Sequence, residues 1–396
     1  MHLEYSYRIK ITRLRNGERF ALLIDKRTGL PIAETTRFSG EFRRTKNGSV
    51  STMAHELRAI AIAMAWAEAR GIDLDERIGS SKLLAPHEVM SLTDALRLDQ
   101  RPASTRWTDG LVGSMTHYSR CLYVRDYLTW RAQRVNFRIN DPQRTQVAND
   151  RLEAFRTSFD AILPRPQQIG REGVSHEVQA RFLEVIHPAH PDNPFQAAQR
   201  ARNYALLLLY YELGIRLSEA LVIKGADLNL SSAPAVTIHR RADDPTDPRV
   251  DPPLTKTRGR ILPIGETLRA ALDDLIMNHR RGRAAKRTPY VFVSRTGQPI
   301  SRRMVSNIME RLRDCFPDLP PQFTMHVLRH TWNDRFSELA DELNMPESEE
   351  KGLRREAMGW GKNSEAAEDY TRHHTKKKAD VAILELQNKS LAGRNR

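Results

Sequence analysis

Two residue groups far apart in the chain have the types and spacing needed to hold an anion. His326 and Arg329 stand three apart in Phe323-Thr-Met-His-Val-Leu-Arg-His-Thr331. On a helix that spacing puts both side chains on one face, near enough to grip a single anionic group. Cations on a half-buried face are costly unless an anion meets them, and the guanidinium fork suits phosphate oxygens in particular, so the implied ligand is a phosphodiester. Arg216 and Glu219 form a second group, three apart in Gly214-Ile-Arg-Leu-Ser-Glu-Ala-Leu221. By spacing alone they read as a salt bridge at a helix start. Lys256 has Arg258 and Arg260 close by in the chain, and like charges make a lysine a readier proton donor near neutral pH. Tyr370 follows Met358-Gly-Trp360 by ten residues. Glu368-Asp369 before it and Thr371-Arg-His-His374 after it imply an exposed, polar setting.

These residues need elements to position them. Met325, Leu328, Trp332, Phe336 and Leu339 recur at three- and four-residue intervals, which predicts a helix over 324–340 with one buried face. Residues 197–213 are so apolar that their helix should lie deep in a core, and Gly214 stops it. Short strands are expected at 236–241, 254–264 and 290–294, with helices at 268–278 and 301–313. Before this part of the chain, Tyr5–Thr12 and Arg19–Ile24 alternate like strands joined across Asn16-Gly17, a hairpin signal. From Ser51 the period becomes helical, with helices expected from there, at 86–98, at 113–133 and at 141–163. They end in the breaker-rich Pro164-Arg-Pro-Gln-Gln-Ile-Gly170.

The predicted class is therefore mostly α with small β-sheets (α+β). The expected domains are a strand-rich module (1–48), a helical domain (49–170), a catalytic domain (171–375) and a tail (376–396). In the tail, Val381, Ile383, Leu384 and Leu386 follow a basic Lys376-Lys-Lys run. The chain has 396 residues, 63 of them Lys or Arg, for a formal net charge of +14. Such a chain attracts polyanions, of which nucleic acid is the commonest. The helix segment 120–134 contributes four arginines, Arg125 and Arg131 among them; they read either as phosphate contacts or as a solvated face. Two cysteines, Cys121 and Cys315, build neither a disulfide framework nor a four-cysteine zinc site. No run approaches the length of a membrane span and the first residues are not a signal peptide, so a soluble, cytoplasmic protein is expected.

His326-x-x-Arg329-His-Thr, then Gly359-Trp360, then Tyr370 resembles the C-terminal box of the tyrosine recombinases, the phage integrase family. Gly214-Ile-Arg216-Leu-Ser-Glu219-Ala-Leu resembles that family's first box, and Thr255-Lys256-Thr before a short strand resembles its hairpin lysine. The resemblance covers roughly 51–391. It implies a helical core-binding domain ahead of a catalytic domain in which Tyr370 attacks a DNA phosphate. Arg216 and Arg329 would hold the non-bridging oxygens, with Glu219 in support. His326 would bond the same phosphate and accept the tyrosine proton, Lys256 would protonate the leaving 5′ oxygen, and Trp360 would donate its indole N–H. Arg258 and Arg260 would make backbone contacts. No metal, ATP or other cofactor is implied. The implied partners are double-stranded DNA carrying recombination sites, further copies of the chain in a tetramer, and an accessory DNA-bending or directionality protein. The tail would dock on a neighbouring protomer.

Two departures stand out: the 41 residues from Arg329 to Tyr370 exceed the family's usual interval, with the excess in the acidic 341–350, and Trp360 to Tyr370 is also longer than usual. Other readings are weaker. His326 and His330 are spaced like a helical zinc pair, but Val327 stands where a metalloprotease carries glutamate. No Gly-x-x-x-x-Gly-Lys-[Ser/Thr] run is present, which removes a P-loop ATPase. A DNA-binding regulator lacking strand exchange, and a resolvase or type IB topoisomerase with the same chemistry, stay open.

Overall fold

The computed structural model describes residues 6–44, 49–100, 110–163, 172–241, 244–255, 257–280, 286–361 and 364–392. The chain divides into two compact units, Met1–Ile169 and Gly170–Arg396, each mostly helical with a small antiparallel sheet.

In the first unit, β1 (Tyr7–Arg13) and β2 (Arg19–Asp25) pair antiparallel with Tyr7 opposite Asp25 and Arg13 opposite Arg19. The expected Asn16-Gly17 turn joins them, Gly17 taking a positive φ of 90°. Helices α1 (Ala33–Phe38), α2 (Val50–Glu68), α3 (Leu74–Gly79), α4 (Pro86–Arg97), α5 (Ser114–Asn136) and α6 (Pro142–Ala161) follow. Ser49 starts α2 by accepting the Thr52 N–H. Helix α2 is buried on nearly every side. Alanines at 54, 59, 61, 63, 65 and 67 let its neighbours approach closely. Tyr7, Phe20 and Leu23 of the hairpin share one core with Leu57 and Ile60 of α2 and Val124 and Leu128 of α5. The strands are thus part of this unit rather than a separate module over 1–48, because a two-stranded ribbon is marginal alone and needs an apolar cover.

The second unit runs through α7 (His176–Ile186), α8 (Ala197–Leu213) and the short α9 (Leu217–Ala220) into a three-stranded sheet. Its strands are β3 (Leu228–Asn229), β4 (Ala235–Ile238) and β5 (Arg260–Pro263), ordered β3-β4-β5 with Val236 opposite Leu262 and Ile238 opposite Arg260. Then come α10 (Glu266–Asp274), α11 (Arg302–Cys315), α12 (Met325–Glu342), α13 (Glu347–Met358) and α14 (Ala366–Ala392). Leu206, Leu207, Leu208 and Leu209 of α8 sit at the centre of the core, with Phe182, Val236, Leu272 and Phe323 around them. The strand expected at 290–294 is instead a pair of isolated bridges, Lys224 to Tyr290 and Val293 to Pro299.

Helix α14 runs unbroken from Ala366 to Ala392 and carries Tyr370 in its first turns, so the tail expected from 376 continues that helix. In the acidic 341–350, α12 continues to Glu342 and α13 starts at Glu347.

Candidate active site

Helix α8 ends where the site begins. Gly214 takes a left-handed conformation (φ +56°), and a Cβ there would lie 2.6 Å from the Trp332 ring, so glycine alone both turns the chain and lets α12 approach. The Gly214 carbonyl accepts from Arg329 Nη1 at 2.5 Å, and the neighbouring Glu212 carbonyl accepts from Trp332 Nε1 at 2.9 Å. The end of α8 therefore aims Arg329.

Two residues on, Arg216 begins α9, and its backbone N–H donates to the Glu219 carboxylate at 2.8 Å. Glu219 is buried and saturated with donors: Arg260 grips both oxygens at 3.1 Å each, and the Thr257 hydroxyl adds another bond. The Arg216–Glu219 salt bridge suggested by spacing is replaced by this backbone contact, and Arg260 takes the carboxylate. Burial by itself pushes the Glu219 carboxyl up, but the hydrogen bonds and charge of Arg260, with Thr257 and the Arg216 N–H, outweigh it and hold the carboxyl below its ordinary value. A depressed carboxyl contributes stability that is present above its unfolded value near 4.3 and is lost as pH falls through the folded value. Glu219→Gln should cost roughly 3 kcal/mol at neutral pH, because it leaves Arg260 buried without its anion. In urea melts taken from pH 7 downward, the gap between wild type and Glu219→Gln should shrink as the wild-type carboxyl protonates; a gap independent of pH would rule out this account.

Arg260 is thus enclosed rather than facing DNA; its Nε also donates to the Ala357 carbonyl at 2.6 Å. Arg258 keeps 53% of its side chain exposed while its Nε reaches the Trp360 carbonyl at 3.2 Å, and its backbone N–H donates to the Gly359 carbonyl at 3.2 Å. These bonds clamp the strand β5 approach to the end of α13. Gly359 (φ +65°) permits the clamp, since a Cβ would meet Arg260 Nη1 at 2.7 Å. Lys256 lies outside the described residues; Thr255 and Thr257 on either side of it are buried and hydrogen-bonded.

Beyond the clamp, Trp360 stacks on Tyr370 with ring centroids 5.8 Å apart and planes 10° from parallel, and the Arg329 guanidinium lies over the indole at 5.5 Å. Tyr370 is half-buried by this stacking, not exposed as its polar neighbours in the chain imply. Its hydroxyl is 2.9 Å from His330 Nδ1. His330 in turn meets His326 edge-on, centroids 4.4 Å apart, and His326 is exposed. The rings form a row, His326, His330, Tyr370 and Trp360. The residue expected at the phenol was His326, and the structure places His330 there; the signal for it was the same four-residue spacing that suggested a zinc pair. Among the described residues no group of His, Cys, Asp and Glu is arranged to hold a metal ion.

The charges around the phenol are unbalanced. Burial, then the positive charge of Arg216, brings the Arg329 guanidinium down to about 10, and burial lowers Arg216 as well. Both stay charged at neutral pH. Burial raises the Tyr370 phenol above its ordinary value and Asp334 adds to the rise, while Arg329, Arg354 and Arg216 oppose it. Among the described residues, Arg216 Nη1, Arg329 Nη2 and Trp360 Nε1 are buried donors that meet no acceptor. Such atoms are rare in native proteins and call for a specific acceptor.

Arg354 braces this arrangement from behind. Fully buried, it donates to the Asn333 carbonyl (3.0 Å) and side-chain oxygen (3.1 Å), to Ser337 (2.5 Å) and to Glu350, with the Tyr370 ring 5.8 Å from its guanidinium carbon. In the first unit, the α5 arginines have partners: Arg131 holds Asp75 at 2.7 Å with 13% of its side chain exposed, and Arg125 holds Asp126 at 3.0 Å and Asp160. Both stitch α5 to its own surroundings.

The second unit thus brings two arginines, an indole and a tyrosine together at one place. Residues 180–344 match the phage integrase family model, so this part of the chain is similar to the tyrosine recombinases. The tyrosine recombinase XerC of Xanthomonas axonopodis pv. citri (strain 306) is 28% identical over 153 residues, 38% of this chain and 43% of that protein. The TnP I resolvase of Bacillus thuringiensis is 26% identical over 129 residues, 33% of this chain and 38% of that protein. The chain spans less than half the length of these curated relatives. Among solved structures, the XerH site-specific recombinase bound to difH substrate, a pre-cleavage complex, shares the fold with a TM-score of 0.53 at 15% identity, over 88% of this chain and 84% of that one.

Proposed function

We propose that this protein is a site-specific DNA recombinase that cuts and rejoins strands through a 3′-phosphotyrosyl bond on Tyr370. The observation that carries the reading is the set of three buried, unsatisfied donors on Arg216, Arg329 and Trp360 beside a tyrosine hydroxyl. A phosphodiester seated there gives each donor an oxygen. A tyrosine is a weak nucleophile, and the donors stabilise the charge that develops on the phosphorane as the phenol attacks, the effect that usually contributes most to such catalysis. Arg216 and Arg329 take the non-bridging oxygens, His326 reaches the same phosphate from its exposed side, and Lys256 protonates the departing 5′ oxygen. Glu219 acts through Arg260 and the Arg216 backbone rather than on the phosphate. Because the phosphotyrosyl bond keeps the energy of the bond it replaced, rejoining needs neither ATP nor a metal.

The substrate is double-stranded DNA with paired recombination sites, and strand exchange between two sites calls for a tetramer of this chain; an accessory DNA-bending protein fits the same reading. Arg258, with about half of its side chain exposed, and Arg125, which Asp126 and Asp160 hold, are the cations this reading assigns to backbone phosphates. Among the described residues no helix is long and apolar enough to cross a membrane, in keeping with action on DNA in the cytoplasm. The test uses nicked suicide duplexes cut from the DNA flanking the gene. A covalent protein–DNA adduct is expected on a denaturing gel, with the modified peptide mapping to Tyr370. Salt-sensitive binding without an adduct on any fragment would favour a DNA-binding regulator instead.

A further inference from the structure

We infer that His330 is a catalytic residue, the base that takes the Tyr370 proton as the strand is cut. The inference rests on the recombinase reading and assigns a step that the donor cluster leaves open. Tyr370 keeps its proton at neutral pH, for its phenol is raised by burial and by Asp334 despite the opposing arginines. The phenol must lose that proton as it bonds to phosphorus, and Arg216, Arg329 and Trp360 offer only donors.

His330 Nδ1, 2.9 Å from the phenol oxygen, is within the range for direct proton transfer. His326 is one ring further out, and its closest aromatic partner is His330 itself. Both histidines project from α12, which Gly214 and Arg354 hold against α8 and α13 through Arg329, Asn333 and Ser337. Nδ1 accepts when the ring is neutral and carries its hydrogen on Nε2. In the forward step the Tyr370 oxygen–phosphorus bond forms, the bond from phosphorus to the 5′ oxygen breaks, the phenol proton passes to His330 Nδ1, and the 5′ oxygen takes a proton from Lys256. In the rejoining step each proton returns, His330 giving its own back to the departing phenolate. The titratable and charged groups that face this proton are His326 on the same helix, Arg329 and Asp334 beside the phenol, Arg354 from α13 and Arg216 from the start of α9.

The experiment compares wild type, His330→Asn and His326→Asn in single-turnover adduct formation on a fragment that the wild type cleaves. Each is tested with the ordinary phosphodiester and with a 5′-bridging phosphorothiolate, whose sulfur leaves without needing a proton. Asparagine at 330 can still accept the phenol hydrogen bond but takes no proton, so His330→Asn should cleave about 100-fold more slowly on both substrates, with DNA affinity and melting temperature unchanged. Added imidazole should restore part of the rate in His330→Ala, which keeps the idea testable if the asparagine variant is poorly folded. His330→Asn cleaving within threefold of wild type would overturn the inference, as would a loss erased by the sulfur leaving group. An equal, sulfur-insensitive loss in His326→Asn alone would move the role to His326. Failure of the wild type to form any adduct is a separate result and would overturn the recombinase reading with it.

Discussion

Tyr370→Phe should bind DNA with the affinity of the wild type and form no covalent adduct. Phenylalanine keeps the ring stacked on Trp360 and packed near Arg354, so only the oxygen is lost. That oxygen makes one hydrogen bond, to His330, and its removal should cost about 1 kcal/mol of stability, too little to unfold the protein. The chemistry has no substitute for it. Arg216, Arg329 and Trp360 supply donors, and a phosphodiester held by donors alone is bound but not cut. Binding and cleavage should therefore separate completely in this variant, with binding read by mobility shift at several salt concentrations and cleavage by denaturing gel. Residual adduct in Tyr370→Phe would place the nucleophile on another residue.

Arg354→Ala should produce a large loss of stability. The guanidinium is wholly buried and bonds Glu350, Ser337 and both oxygens of Asn333. Removing it strands the Glu350 carboxylate in the interior, and breaking a buried pair from one side costs about 3–5 kcal/mol. For a unit of this size that corresponds to a fall in melting temperature of roughly 10 °C. Arg354→Lys should recover little, since an ammonium cannot reproduce a planar fork with several fixed partners. Calorimetry on the full chain reads both variants, and a shift in Arg354→Ala of under about 2 °C would contradict the bracing role. Activity should fall too at temperatures where the fold persists, because Asn333 also donates to the Arg329 carbonyl at 2.8 Å and passes the disturbance to Arg329.

The same helix marks how far pattern reading reaches. The apolar run of α8 predicted a buried helix stopped by glycine, and the structure has one, because every side of that helix meets apolar partners. For α12 the apolar spacing located the helix but rotated its buried face. Leu339 is 49% exposed, while Arg329, Thr331, Asn333 and Ser337 are buried. Hydrophobic periodicity scores polar residues as outward, yet these are inside because each has a hydrogen-bond partner there: Thr331 bonds the Val327 carbonyl and Ser337 bonds Glu350. Arg260 escapes the pattern for the same reason. A basic residue in a basic stretch looks like a DNA contact until Glu219, far away in the chain, is brought to it. The pairing of Glu350 with Arg354 had a visible sign in its four-residue spacing, but the acidity of 341–350 drew the reading to chain length instead.

The clamp between the β5 approach and the end of α13 has a consequence for how this site tolerates change. Arg258 and Arg260 grip the main chain at Ala357, Gly359 and Trp360, just before the chain enters the helix that carries Tyr370. The tyrosine is therefore registered against the opposite side of the site by contacts immediately upstream of it, not by the length of chain that separates it from Arg329. Added residues between α12 and α13 lie outside that registration and lengthen the path without moving its end. In such a design the contour length between α12 and α13 can change while the distance between Tyr370 and Arg329 stays fixed.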